Sequence, residues 1–328
     1  MKHPKAIETF RRLVEQADVV VENFSVGVLD RWGVGYDAVH QWNERIIFLG
    51  MAGAGQDGPW RDFVTYAPTI HALCGLTYLT NPPERKDIGT GFALTDHLSG
   101  LAGALAVLEA LAARRRTGGG QFIDLSQLEV GAYLVGPALV DFLSNGHEAQ
   151  PQGNQDAFAD YVPNNVYCCR NDEWLAITAR DDQEWRCLCE VIGRQELADD
   201  GRLASVANRR LHRSEVDAAI GAWAAQQDAA QAMQQLQAGG VPAGKVQNAQ
   251  DLTERDEQLA ARRWLLEVEH KLLGRHQLDR FPATFSDTSL EPYQSAPFFG
   301  EHNFEVYKEL LGMSDEEIAA AIGEGLFA

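Results

Sequence analysis

The sequence predicts an α/β fold with a mostly parallel sheet. Two short apolar runs carry this expectation, Val19–Val21 and Ile46–Leu49. Runs of this length and composition are typical of strands that are buried on both faces of a sheet. Residues 26–43, between them, have the length of a short helical crossover, and the order strand, helix, strand implies parallel pairing. A third strand is expected around Ile123.

A long helix is expected just before the third strand. From Asp96 to Arg116, leucines recur at helical spacing, while alanines and glycines occupy the other packing positions. Residues 114–116 are arginines in the last turn, where positive charge complements the helix dipole, and the TGGG that follows is a stop signal. We assign residues 1–150 to a large domain that contains these elements.

Beyond residue 150 the pattern changes. Residues 151–165 are polar and rich in turn formers, and they precede an alternating strand, EWLAITA, and several helical segments. We predict a smaller α+β domain over residues 161–252. Near the end of the chain, Ser314 and Glu317 have the spacing of a capping box that opens a terminal helix.

Composition and charge exclude several classes of function. Charged residues make up 23% of the chain, which is ordinary for a globular protein, and the net charge of -19 disfavours nucleic acid and anionic membranes as partners. No apolar run approaches the length of a membrane span and the first residues do not resemble a signal peptide, so a cytoplasmic location is expected. The five cysteines lack zinc-ligand spacing, so no metal is expected.

Four segments, in chain order, carry a resemblance to a known family. They are ADVVVENFSVGVLDRWGVGYDAV, GTGFALTDHLSGLAGALAVLEALAARRRTGGGQFIDLSQLE, AGGVPAGKVQNAQDL and FFGEHNFEVYKELLGMSDEEI. Each resembles an element of the family III CoA-transferases, the CaiB/BaiF type that includes formyl-CoA transferase. The resemblance implies a Rossmann-like large domain, here incomplete at its N-terminus, and a C-terminal segment, residues 253–328, that returns to it.

The resemblance implies that Asp96 is the catalytic carboxylate. In the family the matching aspartate attacks the acyl thioester and forms a mixed anhydride, which CoA thiolate converts to an aspartyl-CoA thioester. The implied substrates are an acyl-CoA, with coenzyme A as the transferred group, and a free carboxylic acid acceptor. Helix N-terminal amides hold such a carboxylate ionised, which suits covalent catalysis. From the residue type alone, an aspartate at a helix start would be interpreted as an N-cap.

Coenzyme A binding is expected after the first strand. Asn23, Phe24 and Ser25 follow that strand, and by resemblance they lead into the region that binds the CoA adenosine and phosphates. The matching arginine of the family meets a CoA phosphate, which points to Arg31. Ligands at the carboxyl ends of parallel strands are also the general expectation for α/β folds. The structural alternatives are a simple strand-to-loop turn and a surface arginine.

Two other functions stay open from the sequence. The related α-methylacyl-CoA racemases carry a His-Asp pair where this chain has Tyr66 and Ala67, and tyrosine is a poor acid or base at neutral pH. Transferases often carry a lysine and a carboxylate nearby, where this chain has Val64 and Ala67. A non-catalytic subunit of a heteromeric CoA-transferase is therefore the second alternative. His71 is expected to be packed or hydrogen-bonded, not catalytic.

The resemblance also implies an assembly. Family chains carry a further βαβ unit ahead of the segment where this sequence starts, and two chains interlock. We expect an interlocked homodimer, or a hetero-oligomer in which a different chain supplies the missing unit. The apolar run Val19–Val21 is not expected to remain a free sheet edge, because an unpaired edge exposes a row of backbone N–H and C=O groups.

Overall fold

The computed structural model describes residues 3–85, 88–155, 161–290 and 292–327. The chain divides into two units, one of Met1–Pro151 with Pro297–Ala328 and one of Gln152–Ala296. The sequence-based boundary at residue 252 lies inside the second unit. The return to the first unit starts at Pro297, directly before the family-like ending that led us to expect a return.

The first unit is built on a three-stranded parallel sheet. Its strands are β1 (Val19–Glu22), β2 (Ile47–Gly50) and β3 (Gln121–Asp124), with β2 in the centre. All three pair in parallel, as the sequence predicts. The helices before residue 151 are α1 (Ala6–Val14), α2 (Val28–Arg31), α3 (Tyr36–Trp42), α4 (Ala67–Leu73), α5 (Leu76–Leu79), α6 (Leu94–Thr117), α7 (Gln127–Leu134) and α8 (Gly136–Asn145).

The burial of β1 differs from the sequence-based expectation. β2 is buried along its whole length, but Val21 of β1 is 59% exposed. Within the described residues β1 pairs only with β2 and forms an edge of the sheet. The expectation that Val19–Val21 is buried on both faces is therefore wrong for a single chain, because Val21 is exposed and Val19 and Val20 are only partly buried. With a strand neighbour on one side only, β1 also leaves one sheet edge unpaired among the described residues.

Both ends of α6 are fixed by specific interactions. Gly118 ends the helix in the left-handed region, with φ of 84°, and its N–H donates to the carbonyl of Arg114. The guanidinium of Arg114 is buried; it forms an ion pair with Asp18 at 2.5 Å and donates to the carbonyl of Arg45 at 2.8 Å. The end of the helix is thus attached to the segments that precede β1 and β2.

By length and composition alone, α6 would suffice to cross a membrane, since it has 24 residues and a mean hydropathy of 1.2 over 18 of them. The sequence-based expectation that no apolar segment approaches the length of a membrane span is thus corrected for α6. In the first unit α6 packs against β2 and β3. The packing is close at Gly103, where a Cβ would lie 2.9 Å from the side chain of Leu49.

The second unit combines antiparallel strands with helices. β4 (Asn164–Cys168), β5 (Trp174–Thr178) and β6 (Ala243–Lys245) form one sheet, and β7 (Leu265–His270) pairs with β8 (Gly274–Asp279). Part of the polar connection before β4, residues 156–160, lies outside the described residues. The helices are α9 (Asp182–Val191), α10 (Gln195–Asp199), α11 (Val206–Leu211), α12 (Arg213–Ala224), α13 (Ala229–Ala238) and α14 (Glu257–Ala261).

The last two helices belong to the first unit. α15 (Asn303–Leu311) lies against α1, where Arg12 donates to the carbonyl of Leu311. α16 (Asp315–Gly323) opens with the predicted capping box. The Ser314 hydroxyl accepts from the Glu317 amide at 3.2 Å, and the Glu317 carboxylate accepts from the Ser314 amide at 2.7 Å.

A substitution at Gly120 tests how closely the segments that lead into β2 and β3 approach each other. A Cβ on Gly120 would lie 1.9 Å from the carbonyl oxygen of Ile46, whereas a Cβ on Gly119 would meet no atom within 4 Å. We expect Gly120→Ala to lower the free energy of unfolding by about 1–3 kcal/mol, since the two backbones must separate. Gly119→Ala should change it by less than about 0.5 kcal/mol. Urea denaturation measures both, and equal stabilities would contradict the close approach.

Candidate active site

A cavity of about 370 Å³ lies at the carboxyl ends of the parallel strands. Its wall is made by the residues that follow β1 and β2, by the loop before α4, and by single residues of α6 and α7. These residues are Asn23, Phe24, Ser25, Val26, Ala52, Gly53, Arg61, Phe63, Val64, Thr65, Tyr66, Ala67, Asp96 and Gln127. Four of the five site residues that the sequence singled out, Asn23, Phe24, Ser25 and Asp96, are therefore brought together.

Asp96 lies on the cavity wall without a structural role. The N-cap of α6 is Ala93, so Asp96 is the third residue of the helix and not its cap. Its carboxylate makes no hydrogen bond or ion pair with any residue that the structure describes. The first turn places it at the positive end of the helix dipole, which attracts negative charge. An exposed carboxylate without a hydrogen-bond or ion-pair partner among the described residues is available as a nucleophile.

Gln127 fixes the orientation of Asn23. The buried Gln127 side chain donates to the Asn23 Oδ1 atom at 3.1 Å and to the carbonyl of Met51 at 3.1 Å. Since the Asn23 oxygen is held in this bond, its amide NH₂ group is left to donate to a ligand. The sequence analysis did not select Gln127. The available signal was its position shortly after the third strand, at the same edge of the sheet as Asn23.

The turn after β1 is closed by Glu22. Its carboxylate accepts from the Phe24 amide at 2.8 Å and from the side chain of Gln56 at 3.4 Å. Burial raises the pKa of Glu22 above its ordinary value, and these two hydrogen bonds oppose that rise. The packing opposite is close, since a Cβ on Gly50 would lie 2.9 Å from the Gln56 Nε2 atom and 3.0 Å from the Glu22 Oε1 atom.

Arg31 is not among the residues of the cavity wall. It ends α2, is exposed, and its Nη1 atom would lie 3.3 Å from a Cβ on Gly27. Gly27 lines a separate cavity of about 70 Å³. The cation that the described wall does contain is Arg61, which among the described residues forms one ion pair, a 3.6 Å contact with Asp62. Sequence reasoning missed Arg61, which no periodicity or motif marks.

The loop that carries Arg61 is held close to the end of β2. A Cβ on Gly53 would lie 1.9 Å from the Thr65 Oγ1 atom, so only a glycine permits this approach. In the same loop Trp60 and Phe63 stack with ring centroids 5.6 Å apart and an interplanar angle of 16°. Both rings are about half exposed, so this pair presents an apolar surface beside the cavity.

The positions that distinguish racemases from transferases also line the cavity. Tyr66 and Val64 are each 75% exposed, and Ala67 begins α4. Among the wall residues that the structure describes, Asp96 is the only carboxylate and none is a histidine. Proton abstraction at carbon requires a second acid or base within reach, whereas nucleophilic attack by a carboxylate does not.

Comparison with known proteins identifies the family. The sequence profile of CoA-transferase family III matches residues 1–303. The chain is 30% identical over 319 residues to the succinyl-CoA–D-citramalate CoA-transferase of Chloroflexus aurantiacus, covering 97% of this chain and 79% of that one. A CaiB/BaiF family protein from Brucella suis has a solved structure that matches with a TM-score of 0.85 at 28% identity, over 94% of this chain and 79% of that chain.

The protein is thus an α/β transferase, and the chain belongs to CoA-transferase family III. This confirms the resemblance and the fold class that the sequence predicts. A further relative, named "Probable CoA-transferase Rv1866", from Mycobacterium tuberculosis, is 34% identical over 326 residues. The match covers 96% of this chain but 40% of that protein, so the chain spans less than half of its length.

Proposed function

We propose that this chain transfers CoA from an acyl-CoA thioester to a free carboxylate, with Asp96 as the covalent carboxylate. The observation that carries the proposal is the position of Asp96: a carboxylate in the first turn of α6, on the wall of the cavity, without a partner among the described residues. Asn23, whose oxygen is held by Gln127, is proposed to donate to a polar group of the bound CoA.

The reaction balances without water or a redox partner. Asp96 attacks the thioester carbonyl, CoA thiolate leaves, and a mixed anhydride forms. The thiolate then attacks the aspartyl carbonyl, which releases the donor acid and leaves an aspartyl-CoA thioester. The acceptor carboxylate attacks this thioester and again expels CoA thiolate. In the last step the thiolate attacks the acceptor carbonyl, which frees Asp96 and yields the new acyl-CoA.

For the acceptor, we propose a dicarboxylic acid whose second carboxylate pairs with Arg61. The Chloroflexus relatives are named for D-citramalate and L-malate, and a relative from Agrobacterium fabrum is named succinate–glutarate CoA-transferase. All these acids carry two carboxylates. Arg61 is the cation on the described cavity wall, and its contact with Asp62 at 3.6 Å is too long to occupy the guanidinium fully.

The test is a panel of acceptors with an acyl-CoA donor that carries no second carboxylate, such as acetyl-CoA, so that only the acceptor can present a second carboxylate to Arg61. We expect transfer to dicarboxylates such as malate and glutarate, and Arg61→Gln should raise KM for these acceptors by about 10–100-fold, since a charge-assisted pair is lost. For the same variant, KM for a monocarboxylate acceptor should stay within about twofold of the wild-type value. The control is Arg115→Gln, the same substitution at an exposed helix end, whose kcat and KM values should also stay within about twofold of the wild type. An Arg61→Gln variant that raises KM for acyl-CoA with every acceptor would instead place a CoA phosphate at Arg61.

We further propose that the chain acts as an oligomer, either an interlocked homodimer or an assembly with a different chain. The exposed apolar side chains of α6 and the unpaired edge of β1 support association. One relative, 30% identical over 320 residues, is named as the beta subunit of the succinyl-CoA–L-malate CoA-transferase of Chloroflexus aurantiacus, which favours keeping the heteromeric alternative. The racemase alternative has less support, because the described wall holds no histidine and no carboxylate besides Asp96, and tyrosine is a poor acid or base at neutral pH.

A further inference from the structure

Helix α6 begins without a capping side chain of its own. The N-cap residue is Ala93, whose side chain has no acceptor, although the first amides of a helix have no partner within the helix. The Leu94 amide donates to the carbonyl of Phe92 at 2.8 Å. The Thr95 amide, which is completely buried, donates to a different helix: its partner is the Nε2 atom of His71 in α4, at 3.2 Å.

This bond determines the state of the His71 imidazole. A backbone N–H can only donate, so Nε2 is the unprotonated nitrogen and the ring proton of a neutral imidazole lies on Nδ1. Nδ1 lies 3.4 Å from the Thr90 Oγ1 atom, which itself donates to the carbonyl of Phe92 at 2.9 Å. His71 is 3% exposed, so water does not compete for either nitrogen. The imidazole therefore joins the segment before α6 to the first turn of the helix.

Thr95 directly precedes Asp96 in that turn. We infer that His71 is a positioning residue for CoA transfer: its neutral imidazole supplies the cap that Ala93 lacks and so fixes the direction in which Asp96 presents its carboxylate. The inference rests on the proposed role of Asp96. His71 does not itself line the cavity, and both of its nitrogens have partners, so it does not act on the substrate as an acid or base.

Three variants separate a positioning role from a general contribution to folding. His71→Leu removes the acceptor, His71→Gln restores an acceptor oxygen at a similar reach, and His147→Leu makes the same change at a histidine with a 73% exposed side chain in the same unit. Hydrogen exchange of the peptide that spans residues 92–98 reports on the Thr95 amide without any reference to activity. Steady-state kinetics with an acyl-CoA donor and a carboxylate acceptor report on the reaction.

We expect the amide hydrogens of this peptide to exchange faster in His71→Leu than in the wild type. The same variant should lower kcat by about 10–100-fold, because a small misplacement of a reacting group costs that much. KM for acyl-CoA should stay within about threefold of the wild-type value. His71→Gln should restore both the slow exchange and most of kcat, and His147→Leu should match the wild type.

Three results would overturn the inference in distinguishable ways. Slow exchange in His71→Leu would show that His71 does not cap α6. Fast exchange with unchanged kcat, alongside an inactive Asp96→Ala variant, would reject positioning while the proposed function stands. A fully active Asp96→Ala variant would reject the proposed function, and the positioning role would fall with it. If His71→Leu does not fold, loss of kcat in a folded His71→Gln variant that exchanges as slowly as the wild type would also contradict the inference.

Discussion

Asp96→Ala is expected to abolish CoA transfer, with kcat lowered by at least about 10³-fold, while the fold is retained. The substitution removes the group that forms the covalent intermediates, and no other carboxylate of the described cavity wall can replace it. The fold should survive because the carboxylate has no partner among the described residues; only its interaction with the helix dipole is lost, about 0.3–1 kcal/mol. Circular dichroism and turnover assays measure the two effects.

A matched variant and a chemical trap complete this test. Asp37 also lies in the first turn of a helix, α3, but outside the cavity wall, so Asp37→Ala should keep wild-type turnover. Hydroxylamine added during turnover should attack the aspartyl carbonyl of the anhydride or thioester and leave a hydroxamate on Asp96, because free carboxylates do not react. Full turnover of Asp96→Ala, or a hydroxamate on a different residue, would reject Asp96 as the nucleophile.

The sequence predicted those parts of the fold that depend on local pattern. The apolar run of β2, the leucine spacing of α6 and the glycine at residue 118 each define their element through contacts within a few residues of the chain. The resemblance contributed Asp96 and the segment 23–25, which the structure brings to one cavity. From its residue type alone, Asp96 would have been interpreted as an N-cap. In the structure the N-cap is Ala93, and Asp96 is the third residue of α6.

Other features depend on contacts between distant segments, which no local pattern encodes. Arg114 has the same surroundings in the sequence as Arg115, yet only Arg114 is buried, because Asp18 and the carbonyl of Arg45 meet it there. The bond from the Thr95 amide to His71 joins residues 24 positions apart. Arg61 reaches the cavity wall because a glycine at residue 53 allows its loop to approach β2.

The exposure of β1 has a similar cause. The apolar composition of Val19–Val21 correctly predicted a strand, but burial depends on what lies beyond the edge of the sheet, and the described chain places nothing there. An apolar edge strand with unpaired backbone groups is a site for association with another chain. The exposed apolar face of helix α6 points to the same requirement.

The chain is expected to be an obligate oligomer, because α6 presents a continuous apolar stripe to solvent. Leu101, Leu105 and Leu108 recur at helical spacing and are 68%, 59% and 63% exposed. Tyr133 of α7 and Leu143 of α8 are 86% and 81% exposed. Soluble monomers rarely expose apolar patches larger than a few hundred Å², and covering such a face removes its apolar area from water at about 25 cal/mol per Å².

Analytical ultracentrifugation at low concentration should therefore show no 36.1 kDa species. Leu105→Glu should dissociate or aggregate the protein, since a charge cannot be buried at an apolar interface without a partner. Leu211→Glu provides the control, because Leu211 is 81% exposed on α11 in the second unit and outside the stripe. A compact wild-type monomer would refute the oligomer. Denaturing electrophoresis of the natively purified assembly distinguishes its two forms. A second band indicates an assembly with a different chain, and a single band indicates a homo-oligomer.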